Sequence, residues 1–177
     1  MHVKAKKIAF GGLMLALTEI CIALGSVLEM NTLFLLAAAS FFVGIMLRET
    51  GVGTGAAFYL AGVLLGILIS PNKLYVVSYA AMGFYILAIE LVYRKLGTMK
   101  GNVNRQALFW TAKYLIFNCM FLPGILLFQK LLFARELSVV MLAVICASGQ
   151  IGLLLYDRAY EFVQGNIWNK MRGRLLG

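Results

Sequence analysis

Six apolar stretches take up most of this chain, and they decide which solvent it folds in. They run Ile8–Leu28, Thr32–Leu47, Val52–Ile69, Tyr75–Tyr93, Phe109–Phe128 and Leu137–Tyr156. At ~1.5 Å per residue, most of them are long enough as helices to cross a hydrocarbon core of ~30 Å. The second is short, near 16 residues, and is expected to borrow its flanks or to thin the bilayer locally. A backbone in lipid must satisfy its own hydrogen bonds, so stretches of this kind form helices. With 62% hydrophobic residues, no soluble globular reading survives. The expectation is an all-α polytopic membrane protein, a single domain over residues 1–177 built as a bundle of six transmembrane helices.

Charge placement orients the bundle. With the N-terminus inside, thirteen Lys and Arg fall on the inner side, and only Lys73, Lys130 and Arg135 fall outside. By the positive-inside rule both termini are expected to be cytoplasmic. The net charge of +9 is thereby read as a topology signal and a contact with anionic lipid, not as a nucleic-acid surface. Span one has the outline of a secretory signal, with a basic start and Ala23-Leu24-Gly25, but Glu19 interrupts its apolar region. It is read as a retained helix.

Several familiar chemistries are excluded. Cys21, Cys119 and Cys146 all lie inside spans, there is no Cys-x-x-Cys, and the sole histidine is His2. That leaves no ligand set for zinc or haem, so no metal and no cofactor is expected. Gly51-Val52-Gly53-Thr54-Gly55 lacks the Gly-Lys-Ser/Thr of a phosphate loop and follows a helix instead of a strand. Gly51 and Gly53 are expected to shape the turn, while Gly55, Tyr59, Gly62 and Gly66 form a stripe for close helix approach. The acids are scattered and no histidine lies in the membrane, so a catalytic set is not expected and the chain is read as a non-enzyme.

The sharpest pattern is on the first helix. Ala5, Ala9, Gly12, Ala16, Glu19, Ala23 and Ser26 step by three and four and so share one face. The cytoplasmic half of that face suits close docking of another helix, either from this bundle or from a partner. Glu19 continues the row near mid-membrane, where an ionised carboxylate is costly. It is expected to be paired, hydrogen-bonded or protonated. Polar rows also mark span five (Thr111, Tyr114, Asn118, Leu122, Ile125, Gln129, with Pro123 as a kink) and span six (Ser138, Met141, Ile145, Ser148, Gly152). With Tyr75, Ser78, Tyr79 and Met82 of span four they suggest a pocket at the outer halves of spans four to six. Glu90 and Lys113, near the inner ends of spans four and five, are expected to pair across the longest loop, Arg94–Gln106.

Lys6-Lys7-Ile8-Ala9, the Ala-x-x-x-Ala of Ala5 and Ala9, and Leu13-Met14-Leu15-Ala16-Leu17 resemble the opening of the substrate-binding S-components of energy-coupling-factor vitamin transporters. The six spans and the length agree with that family. The resemblance implies a subunit of a bacterial cytoplasmic membrane that captures a small, vitamin-like molecule at the outer face. Ala5, Ala9, Gly12 and Ala16 would dock on a transmembrane coupling subunit driven by ATPase subunits, since this chain has no Walker motif of its own. The ligand would be met by Glu19, Glu29, Asn31, Asn72, Tyr75, Tyr79, Asn118 and Gln129. A second resemblance, to small six-span rod-shape morphogenesis scaffolds, rests on Leu47–Leu65. In that family Pro-Asp stands where this chain has Glu29-Met30-Asn31.

Overall fold

The structure, a computed structural model, describes residues 2–99, 104–133 and 138–175, with side chains described for 5–28, 30–99, 104–126 and 138–173. Helix α1 (His2–Val27) leads through a 3-10 turn (Glu29–Asn31) into α2 (Thr32–Thr50). Then come α3 (Val52–Ile69), α4 (Lys73–Thr98), α5 (Arg105–Phe133) and α6 (Val139–Phe162). A π-helical turn, Val163–Trp168, carries α6 into the short α7 (Asn169–Leu175). Six helices are long and apolar enough to cross a membrane, and the described residues contain no strand. The expected all-α six-helix bundle is present.

Helix ends follow local chemistry. Gly51 closes α2 at a φ of 96°, a backbone shape that disfavours any side chain, and its N–H bonds Leu47 O at 3.2 Å. Gly53 lies inside α3, so Gly51 alone makes this turn. Asn72 caps α4 by accepting from Leu74 N at 3.0 Å, and Ser138 caps α6 by accepting from Met141 N at 3.3 Å. Lys73 Nζ donates to Ser70 O at 2.7 Å, beside the carbonyls that α3 leaves unpaired at its end. The second span is 19 residues long, because α2 continues through Arg48, Glu49 and Thr50. The expected Arg94–Gln106 loop shortens to 99–104, since α4 and α5 each run further.

Helix α2 is the hub. It packs on α1, α3, α4 and the π-helical turn, and every residue from Val43 to Leu47 is buried. The glycine stripe of α3 is a packing seam. Leu47 of α2 lies over Gly55, Tyr79 of α4 over Gly62, and Val76 of α4 with Ile22 of α1 beside Gly66. Helix α5 lies on α4. Helix α6 touches α5 lightly and, with the π-helical turn after it, reaches the hub through large side chains, Tyr156, Tyr160, Gln164 and Trp168. Outward-facing Ile8, Phe34, Leu64, Leu68, Val140 and Leu155 give the bundle an apolar coat suited to lipid.

Candidate functional site

Two faces of α1 have opposite fates. Phe10, Met14, Thr18 and Ile22, one helical row, are buried against the bundle. Ala5, Ala9, Gly12 and Ala16 are all exposed, and a Cβ added at Gly12 would meet nothing within 4 Å. The small-residue face is therefore no seam of this bundle. Of the two docking options open from sequence, the intramolecular one is overturned, because α1 uses its other face to pack on α2, α3 and α4.

Glu19, the next residue on that row, turns inward. It is only 8% exposed, and neither carboxylate oxygen has a hydrogen-bond partner among the described residues. Tyr79 is fully buried with its hydroxyl also unpartnered. Its hydroxyl rests against Gly62 in α3, and Tyr59, one turn earlier in α3, donates from its own hydroxyl to Ala80 O at 2.9 Å.

The remaining outer residues do not gather by hydrogen bonding. Asn31 is exposed, Asn72 is spent on its cap, and Tyr75 is half-buried against the core. Asn118 takes a 2.8 Å bond from Gln150 Nε2 and donates to Tyr114 O at 2.8 Å, tying α5 to α6. The side chains of Glu29 and Gln129 lie outside the described residues. In α6, Ser148 and Gly152 face outward, so the polar row expected to line a pocket lies on the wrong side. The buried face of α6 is instead Leu153, Asp157 and Tyr160, continued by Gln164 and Trp168 of the π-helical turn.

That face carries a charge network at the end of the bundle holding both chain termini. The expected Glu90–Lys113 pair is not made. Arg48 Nε donates to Glu90 Oε1 at 2.9 Å, and the Tyr160 hydroxyl donates to the same oxygen at 2.6 Å. Lys113 instead bonds Asp157 at 2.7 Å and Glu161 at 2.9 Å, with its ammonium 4.4 Å from the Phe109 ring centroid. Lys113 and Asp157 are 2% and 1% exposed. At this depth each charge needs a partner, and each has found one from another helix. Ser40 and Tyr156 share a 2.7 Å hydrogen bond nearby, and Arg94 donates to Leu47 O. A cavity of about 180 Å³ opens among Arg48, Ile89, Glu90, Tyr93, Phe109, Lys113, Tyr160 and Glu161.

Sequence reasoning missed Arg48, Asp157 and Tyr160 as members of this network. The available signal was the row Leu153, Asp157, Tyr160, Gln164, Trp168, whose spacing of three and four continues a helix past the last apolar stretch. The described residues hold no group of three or more His, Cys, Asp or Glu placed for a metal. No family model, no curated protein and no solved structure matches this chain.

Proposed function

We propose that this chain is the substrate-capture subunit of an energy-coupled membrane transporter, of the energy-coupling-factor type. It holds a small molecule at the end of the bundle away from its termini and docks on a transmembrane coupling subunit through α1. One observation carries the reading: the face of Ala5, Ala9, Gly12 and Ala16 is open although every residue of the row is small. Lipid gains nothing from a row of small residues, whereas a second helix gains close backbone contact along it. The ligand contacts belonging to this reading are Glu19, Tyr79, Tyr75 and Asn31, which no cap or interhelix hydrogen bond occupies. Asn72 and Asn118 are committed to structure.

The test is Ala9→Leu and Gly12→Trp, made separately in a tagged chain recovered from its native membranes in mild detergent. The wild type is expected to bring down a coupling subunit with ATPases, and both variants are expected to lose it while melting at the wild-type temperature. Equal recovery from the variants, or no such complex with the wild type, rejects the reading. A destabilised variant monomer would instead mark the face as internal, at a cost of about 1–3 kcal/mol for overpacking.

A further inference from the structure

We propose that Glu19 and Tyr79 form a proton-exchange site inside the bundle. Glu19 stands about 21 Å along α1 from Ala5, past the midpoint of a span of about 33 Å. The residue is 8% exposed, both carboxylate oxygens are buried, and they make no hydrogen bond or ion pair among the described residues. The Tyr79 hydroxyl, from α4, is fully buried and likewise unpartnered.

The two groups lie at one level. Helices α1 and α3 run in the same direction, and Ile22 lies beside Gly66 while the Tyr79 hydroxyl lies against Gly62. Glu19, one turn before Ile22, is therefore level with Gly62, one turn before Gly66. Tyr59 is the titratable group that α3 turns toward this region, and its hydroxyl is already given to Ala80 O. At this height α2 offers Leu36, Ala39 and Ser40, while its charges, Arg48 and Glu49, sit near its far end.

An ionised carboxylate taken out of water without a partner costs several kcal/mol. The group therefore requires a cation. A metal ion of the calcium or magnesium kind would want about six oxygen ligands, and only the two oxygens of Glu19 and the one of Tyr79 are free here. A proton needs no ligand shell and no cavity. On uptake the carboxylate plus one proton becomes a neutral carboxylic acid, and the Tyr79 hydroxyl stands at its level without being hydrogen-bonded to it in this structure. Release returns the proton and restores the anion. Ala16 and Ile20, beside Glu19 on the open face of α1, are both exposed, which opens its surroundings to an apolar reagent from the lipid side.

Dicyclohexylcarbodiimide, an apolar reagent that adds to protonated carboxyl groups, tests this on the intact chain in phosphatidylcholine nanodiscs. Peptide mass mapping is expected to find the adduct on Glu19 at about pH 6 and to find it forming at least ~10-fold more slowly at about pH 9. Glu19→Gln is expected to abolish that adduct while melting at the wild-type temperature. Tyr79→Phe is expected to keep the adduct and move the pH at which labelling falls. No adduct on Glu19 at any pH, or labelling equally fast at both, overturns the site, and an unmoved midpoint in Tyr79→Phe removes its second member. The measurement needs no partner subunit, so it stands or falls apart from the docking of α1.

Discussion

Gly44 and Gly12 show at single-residue scale how differently one residue type is used. A Cβ on Gly44 would collide with the Tyr160 ring, which lies over it to reach Glu90. A Cβ on Gly55 would sit 2.8 Å from the backbone Cα of Leu47, an atom that cannot step aside. Gly44→Ala and Gly55→Ala are both expected to lower stability by about 1–3 kcal/mol in thermal unfolding. Gly12→Ala, with nothing within 4 Å, is expected to match or slightly exceed the wild type, since alanine is the better helix former. A Gly12→Ala chain that melts well below the wild type would contradict an open α1 face.

At the scale of elements, α6 is held to the bundle by polar side chains more than by close backbone approach. Its contact with α5 is light, yet Asp157, Tyr160, Gln164 and Trp168 each bond another helix. The π-helical turn lays this arm on α2, and Trp168 packs on Phe10 of α1 with ring centroids 5.5 Å apart. Lys113→Met leaves Asp157 buried without its cation and is expected to cost about 3–5 kcal/mol. Lys113→Met combined with Asp157→Leu is expected to recover most of that loss, because both buried charges are then gone. Glu161 is 45% exposed at its side chain, so Glu161→Gln is expected to cost no more than ~1 kcal/mol. Unfolding of the purified variants in one detergent separates the three. Equal losses in Lys113→Met and Glu161→Gln would show that depth does not set the strength of this network.

For the whole molecule, even-numbered crossing and charge agree. Arg48, Arg94, Lys95, Arg105, Arg158 and Arg172 cluster at the end with both termini, and Lys73 lies at the other. Reporters fused at either terminus are therefore expected to act in the cytoplasm, and one inserted between Ser70 and Lys73 on the opposite side. A terminus reporting from outside would break the six-span path. The inner charge network lies just below that basic end, where Glu49 joins α2 to the C-terminal arm through Trp168 at 3.0 Å and Arg172 at 2.9 Å.

The solvent, the six spans and the α3 glycine seam were legible from sequence, because each is set by length, hydropathy or spacing along one helix. The small-residue row of α1 was equally legible, but not which way it faces. Facing depends on which helices crowd around α1, and α2, α3 and α4 took the Phe10–Met14–Thr18–Ile22 row. Partner choice among buried charges was likewise decided in three dimensions. Glu90 and Lys113 sit on neighbouring helices, yet Arg48 comes from α2 and Asp157 from α6, residues 42 and 44 positions away along the chain. Spacing along one helix shows which residues share a face. Only packing between helices decides which face meets which, and it left Glu19 and Tyr79 buried with no hydrogen-bond partner among the described residues.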